Sequence, residues 1–310
     1  LLDYDGDGDL DVYFSQGDAL TVEAPAEAPS VSDRLFRNDV ALDAAGGTVV
    51  RWRDVTATAG IPSGGYGMGV ATGDVDNDGD PDVYLTNFGS NRLLINQGDG
   101  RFADGTEASG TDDPRWSVAA SFLDYDGDGR LDLYVGNYVE YRLATHRDCY
   151  SDSGVLDYCG PAGFPPEPDR LFRNLGDGRF EDVTRRSGLA ATAGAGLGAV
   201  AADLTGDGLT DLYVANDGDR NNLWVNQGDG TFRDEALLAG AAVNSAGHPE
   251  ASMGVVAGDL DQDGYVDLFM SHLTNETNTL YRGSAARVSA DVTADRGPGM
   301  PSSTSPATGG

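Results

Sequence analysis

An acidic nine-residue motif, Asp-x-Asp-x-Asp-Gly-x-x-Asp, occurs five times, with one threonine replacing an aspartate in the fourth copy. The copies, called loops 1 to 5, occupy residues 3–11, 74–82, 124–132, 203–211 and 259–267. Carboxylates at alternating positions around a turn-forming glycine can direct several oxygens toward one centre. Calcium takes about six to eight oxygen ligands in a flexible cage. The motif therefore predicts repeated calcium binding, with about five sites.

The predicted calcium ligands are positions 1, 3, 5, 7 and 9 of each loop. Those expected to use their side chains are Asp3, Asp5, Asp7, Asp11, Asp74, Asp76, Asp78, Asp82, Asp124, Asp126, Asp128, Asp132, Asp203, Thr205, Asp207, Asp211, Asp259, Asp261, Asp263 and Asp267. The seventh position varies in residue type, as expected where only the backbone carbonyl is a ligand; it holds Asp9, Asp80, Arg130, Leu209 and Tyr265. Because Thr205 leaves loop 4 with three carboxylates, we expect it to be the weakest site.

The segments around the loops favour a β-hairpin over the helix-loop-helix calcium hand. A hand ends in a bidentate glutamate at its twelfth position, whereas the equivalent residues in this chain are apolar. Loops 2, 3 and 4 are followed by short runs rich in Val, Leu and Tyr that end on Asn, at 82–87, 132–137 and 211–216. Glycine- and alanine-rich segments precede loops 2, 4 and 5. Such runs predict strands.

The loops belong to a longer repeated unit. A Leu-aromatic segment follows each loop strand, as in 33–38, 91–96 and 169–174, and a final Phe or Trp strand comes after it. Three of these segments run directly into a Gly-Asp-Gly turn, at 98–100, 176–178 and 228–230. Four antiparallel strands per repeat are typical of a β-propeller blade. The small-residue strand is expected nearest the axis, where blades crowd together.

These motifs resemble the FG-GAP/VCBS repeats of calcium-binding propellers. The segments at 123–139, 158–184 and 276–282 most resemble secreted proteins of the ASPIC/UnbV (cartilage acidic protein-like) type. The resemblance implies an all-β, seven-bladed, extracellular propeller used for binding, with calcium loops between the first two strands of each blade. About five blades are expected in this chain, at approximately 1–62, 63–112, 113–192, 193–248 and 249–296. The first lacks its inner strand, and 297–310 form a disordered or truncated tail, so the chain is interpreted as a fragment.

The net charge and the two cysteines indicate which classes of partner and which cellular compartment to expect. The net charge is −31, from 51 acidic and 20 basic residues, which argues against nucleic acid and anionic membranes. No apolar segment is long enough to span a bilayer. Cys149 and Cys159 are predicted to form a local disulfide, with free thiols as the alternative, and a disulfide suits an extracellular, cell-surface or periplasmic location.

The sequence offers little sign of catalysis. His146, His248 and His272 share no metal-binding spacing, and His272 occupies the strand-end position that holds Asn in sibling repeats. Trp52, Trp116 and Trp224 are interpreted as packing between blades, with sugar stacking as the alternative. We therefore expect a calcium-stapled module that binds an extracellular protein or glycan, for example through 140–168 or 16–33. The alternative is a calcium-dependent polysaccharide lyase.

Overall fold

Five antiparallel sheets make up most of this chain, and their strands follow one another along the sequence except in the third sheet, which a small hairpin interrupts. The structure is a computed structural model that describes residues 1–17, 33–42, 45–151, 153–273, 276–284 and 290–293. Four sheets have four described strands and the first has three. All strand pairs are antiparallel, which confirms the all-β prediction of four-stranded blades.

The first three sheets follow one another along the chain. Sheet 1 contains β1 (Val12–Phe14), β2 (Arg34–Leu42) and β3 (Thr48–Asp54). Sheet 2 contains β4 (Gly67–Gly73), β5 (Asp82–Asn87), β6 (Arg92–Asn96) and β7 (Phe102–Asp104). Sheet 3 contains β8 (Ser117–Leu123) and β9 (Asp132–Asn137), then, after the small hairpin β10 (Cys149–Tyr150) and β11 (Leu156–Asp157), β12 (Arg170–Gly176) and β13 (Arg179–Asp182).

Sheet 4 contains β14 (Gly196–Ala202), β15 (Asp211–Asn216), β16 (Asn222–Asn226) and β17 (Phe232–Asp234). Sheet 5 contains β18 (Ser252–Gly258), β19 (Asp267–His272), β20 (Thr279–Arg282) and β21 (Ala290–Asp291). The helices are one-turn segments, α1 (Thr106–Ser109) and α2 (Ala236–Ala239), with 3₁₀ turns at Leu143–Thr145, Pro161–Gly163 and Leu189–Ala191. No helix among the described residues is long and apolar enough to cross a membrane.

The small-residue strands lie innermost and contact one another from sheet to sheet, as predicted. Strands β4, β8, β14 and β18 pack in that order. A Cβ atom on Gly69 would lie 2.3 Å from the backbone oxygen of Val118 on the neighbouring β8. Thr86 also donates a hydrogen bond of 2.8 Å to that oxygen. Glycine at this position is thus required by the close approach of two blades.

The core consists of four clusters, each sandwiched between two successive sheets. Side chains alternate across each second strand, so Leu133 and Val135 face sheet 2 whereas Tyr134 faces sheet 4. All three are fully buried. Sheets 2, 3 and 4 are therefore buried on both faces, which is the packing of propeller blades. Residues 18–32, 288–289 and 297–310, used in the sequence predictions, lie outside the described part, and the blade boundaries remain predictions.

Three asparagines at the ends of third strands join neighbouring blades. Asn96, Asn174 and Asn226 each donate from Nδ2 to a carbonyl in the loop of the preceding sheet, namely Tyr4 O at 2.9 Å, Val75 O at 2.7 Å and Tyr125 O at 2.7 Å. The same amide donates to the eighth residue of its own loop. One buried side chain therefore couples two successive loops.

We predict that Asn174→Ala destabilises the protein by about 1–3 kcal/mol, because Val75 O and Leu131 O would remain buried without their donor. Chemical denaturation measures this change. Leu175→Ala removes an exposed neighbour and serves as the control. Equal stability of the two variants would contradict the coupling role of Asn174.

Candidate metal sites

Loops 2 to 5 are tight turns between the first two strands of their sheets, as predicted, and loop 1 lies directly before β1. The first aspartate of each loop organises the turn. In loop 2, Asp74 accepts hydrogen bonds from the backbone N–H groups of Asp78 at 3.1 Å and Gly79 at 2.9 Å. The other four loops repeat this pair. The sixth residue has positive φ, +100° at Gly79, which explains the invariant glycine.

The ninth aspartate anchors the loop to the third strand. Asp82 is fully buried and accepts 2.8 Å hydrogen bonds from the N–H groups of Val75 and Asn96. Equivalent pairs hold Asp11, Asp132, Asp211 and Asp267, the last through Gly283 N–H where the other loops use Asn. Burial raises the pKa of Asp82 and Asp132 to about 7 and that of Asp211 to about 6.

The carboxylates converge closely enough to hold a cation in four loops. Oxygens of Asp3, Asp5 and Asp11 lie within 4.8 Å of one another, as do those of Asp74, Asp76 and Asp78. The other two groups are Asp124, Asp126 and Asp132, and Asp259, Asp261 and Asp263. Two oxygens each about 2.4 Å from one calcium ion are at most about 4.8 Å apart, so these groups fit it. Asp5 Oδ1 is buried and has no hydrogen-bond partner among the described residues, as suits a metal ligand.

Loop 4 differs from the others in the way its sequence predicts. Thr205 replaces the third-position carboxylate, and the described residues of this loop do not form a group of three converging acidic side chains. Its framework is nevertheless intact, because Asp203 and Asp211 make the same backbone hydrogen bonds as their equivalents. That loop 4 is the weakest calcium site stays a prediction.

The seventh residue of each loop stabilises the turn through its backbone N–H group. The N–H groups of Asp9, Asp80, Arg130, Leu209 and Tyr265 each donate to the fifth-position aspartate at 2.9–3.1 Å. The side chain of Arg130 also forms an ion pair with Asp128. Tolerance of many residue types at this position follows from its backbone role.

Arginines from the third strands reach three of the five loops, and the sequence predictions did not include them. Arg173 Nε lies 2.6 Å from Asp126, and Arg282 Nη2 lies 2.6 Å from Asp261. Arg37 lies 3.7 Å from Asp5. Ile95 and Val225 stand at the equivalent positions beside loops 2 and 4. In the sequence, an Arg directly before the strand-end Asn or Gly would have indicated these contacts with the loops.

Other predicted residues have the following placements. Cys149 and Cys159 form the predicted disulfide. His272 ends β19, where its N–H donates to Asn278 at 3.0 Å and its Nε2 lies 3.3 Å from Ser252 Oγ, in agreement with a strand-end role. Trp224 is buried in the core between sheets 3 and 4. Trp52 is half exposed, and Trp116 lies in an aromatic cluster at the junction of sheets 2 and 3.

Four overlapping matches to the FG-GAP-like repeat model cover residues 3–85, 74–135, 154–214 and 203–270. The chain belongs to the FG-GAP-like repeat family. The matches extend over most of the sequence, and the repeat they define is the hairpin-loop unit seen in sheets 1 to 5.

The chain is also similar to curated proteins. It is 26% identical over 294 residues to cartilage acidic protein 1 of Homo sapiens and to that of Mus musculus, covering 92% of this chain and 38% or 39% of those proteins. The Xenopus tropicalis protein is 30% identical over 122 residues, 38% of this chain and 17% of that protein. The chain thus spans less than two-fifths of the length of these relatives.

A solved structure of an Agrocybe aegerita lectin, described as recognising non-reducing terminal N-acetylglucosamine, is 16% identical and has a TM-score of 0.35. The alignment covers 88% of this chain and 77% of the lectin. At this TM-score no conclusion about fold or ligand follows.

We predict that Arg173→Ile tightens calcium binding at loop 3 by up to about five-fold, because a partly exposed ion pair that competes with the metal is worth roughly 0.2–1 kcal/mol. The reciprocal change, Ile95→Arg, should weaken loop 2 by a similar factor. Isothermal titration calorimetry of the full chain measures both. Affinities that do not move, or that move in the same direction in both variants, would contradict competition.

We predict opposite pH dependences with and without calcium. The raised pKa values of Asp82, Asp132 and Asp211 mean that their contribution to stability is present below the unfolded pKa of about 4 and is lost as the pH rises through about 6–7. The melting temperature of the chelated protein should therefore rise as the pH is lowered from about 8 to about 5. With saturating calcium it should fall, because protons displace the metal. A parallel fall in both states would refute this.

Proposed function

We propose that this chain is an extracellular calcium-binding β-propeller segment that acts as a protein- or glycan-interaction module. The observation that carries the proposal is the repeated loop, in which three carboxylate oxygens converge in four of the five copies while the first and ninth aspartates already hold the backbone in place. Calcium would be held by the predicted positions 1, 3, 5, 7 and 9 and would neutralise carboxylates that otherwise repel.

Calcium in these loops would act mainly as a staple. Loops 2 to 5 each connect the first two strands of a sheet, and Asn96, Asn174 and Asn226 connect loops 1, 2 and 3 to the next sheet. A metal that orders one loop therefore also supports the neighbouring sheet. Binding free energy becomes folding free energy, because the unfolded chain has no preformed cage.

An extracellular location is supported by the Cys149–Cys159 disulfide and by the similarity to cartilage acidic protein 1. Disulfides persist in oxidising compartments. Loops of this kind also suit the high calcium concentration outside cells. The strong negative charge disfavours nucleic acid and anionic lipid as partners.

We further propose that the segment binds rather than catalyses. The Ser, His and Glu side chains that meet at Ser252, His272 and Glu250 have both neighbours on the same ring nitrogen, at 3.3 and 3.6 Å. A catalytic triad needs its acid on the opposite nitrogen. Ser252 is also fully buried and cannot meet a substrate. His146 and His248 are exposed and are not among the residues that contact His272.

We predict that calcium added to chelated protein raises its melting temperature, since each site filled at 100 times its Kd contributes about 2.7 kcal/mol. Magnesium should give a smaller rise because it demands octahedral geometry and keeps its waters. Scanning calorimetry measures the shift. Asp76→Asn should remove part of it, whereas Asp99→Asn, at an exposed turn outside the loops, should not.

An unchanged melting temperature on calcium addition would refute the staple. A separate assay addresses the lyase alternative: the calcium-loaded protein is incubated with uronic acid polymers. Release of unsaturated products would replace the interaction module by an enzyme, whereas binding to a protein or glycan array without turnover supports the module.

A further inference from the structure

A cavity of about 610 Å³ lies beneath the insertion between β9 and β12. Five aromatic side chains line it, those of Trp116, Tyr138, Tyr141, Tyr158 and Phe164. Its volume falls within the range of about 300–1,000 Å³ typical of small-ligand sites. The cavity belongs to none of the five calcium loops, and the function proposed above does not assign it a role.

The aromatic walls are held in place by contacts with three sheets. Trp116 packs edge-to-face on Phe88, the residue after β5 of sheet 2, and on Tyr138, with ring centres 5.3 and 5.0 Å apart. The hydroxyl of Tyr138 donates to Asp217, beyond β15, at 2.6 Å. The site is therefore a preformed junction between blades rather than a property of the insertion alone.

The insertion itself is braced in the same way. The disulfide joins Cys149, at the start of β10, to Cys159, two residues after β11, at a Cα–Cα distance of 5.2 Å. Tyr141 shares a 2.7 Å hydrogen bond with His146, and its ring packs on Phe164, 5.6 Å away. Arg147 lies over the Phe164 ring at 4.9 Å. Little conformational entropy would be lost when a ligand enters such a site.

The lining also carries polar groups of both signs: Arg147, Asp148, Asp157 and His146. The two carboxylates and His146 are exposed. These groups can both donate and accept hydrogen bonds at the edge of an aromatic floor. A purely apolar ligand would leave these groups without new partners, and a polyanion would meet two carboxylates and a chain of net charge −31.

We propose that this cavity binds a saccharide, with a sugar ring stacked on the aromatic side chains and its hydroxyls bonded to the polar rim. A pyranose presents an apolar C–H face for aromatic contact and hydroxyls that both donate and accept, which is the chemistry of this lining. The inference rests on the proposed interaction function and names its ligand class and site.

Binding at this cavity would not use calcium as a bridge. Loop 3 ends at Asp132, the first residue of β9, whereas Tyr138 follows its last residue. A strand of this length separates its two ends by about 17 Å. The saccharide site and loop 3 therefore lie at opposite ends of β9, and calcium affects the site only by stabilising the blades.

The test uses the full chain with Trp52→Phe and Trp224→Phe, which leaves Trp116 as the one tryptophan of three. The probes are cellobiose, maltose, lactose and N,N′-diacetylchitobiose. The tripeptide Gly-Trp-Gly serves as the comparison, and its binding is measured by saturation-transfer NMR. At least one disaccharide is expected to change Trp116 fluorescence saturably, in calcium and in chelator at a temperature where both states are folded.

Two exposed tyrosines beside the disulfide give a matched pair. Tyr158 lines the cavity and Tyr150 does not. Tyr158→Ala should weaken binding about five- to ten-fold, whereas Tyr150→Ala should leave it unchanged. Phe164→Ala gives a second test on the opposite wall. Both exposed substitutions should retain the melting temperature of the parent.

The proposal is overturned if no disaccharide binds, if only Gly-Trp-Gly binds, or if Tyr158→Ala and Phe164→Ala bind as well as Tyr150→Ala. It is also overturned if binding disappears in chelator while the protein stays folded, because calcium would then be part of the site. A melting temperature unaffected by calcium refutes the staple alone, and the saccharide measurements remain interpretable.

Discussion

The architecture depends on one buried carboxylate per blade, that of the ninth loop residue. It accepts one backbone N–H from its own loop and one from the third strand, as Asp82 does with Val75 and Asn96. These bonds close the hairpin turn and hold the end of the third strand against it. A buried carboxylate is costly unless it is hydrogen-bonded or near a cation. The same group that holds the blade together therefore favours a bound cation beside it.

The asparagine of the third strand extends this constraint from one blade to the next. Its amide spans a carbonyl of its own loop and one of the preceding loop, so neighbouring loops share a hydrogen-bonded link. Sheet 5 has Gly283 in its place, where a Cβ atom would lie 2.4 Å from Val266 O. The repeated units thus combine a common hydrogen-bonded framework with local differences in charge, such as Arg173 beside loop 3 and Ile95 beside loop 2.

The insertion after β9 shows how a repeat acquires an individual surface. Sheets 2, 4 and 5 connect the second and third strands by a few residues, whereas sheet 3 uses the segment 138–169. A disulfide and edge-to-face aromatic contacts supplement the short β10–β11 pairing in this segment. Because the insertion lies at the end of β9 away from loop 3, the acidic loop and the aromatic cavity occupy separate parts of one blade. Loop variation on a rigid scaffold commonly carries function in this way.

The sequence by itself determined the loops, the strand order within a blade, the innermost position of the small-residue strand and the disulfide. These are local features that depend on residue types a few positions apart in the sequence, and the structure agrees with each. The tertiary structure alone decided which distant groups meet. Asn174 and Val75 are 99 positions apart, Arg173 and Asp126 belong to different elements, and Phe88 and Trp116 belong to different sheets. Their contacts follow from how the twisted sheets stack. The repeat pattern in the sequence does not specify which residues of different sheets come into contact.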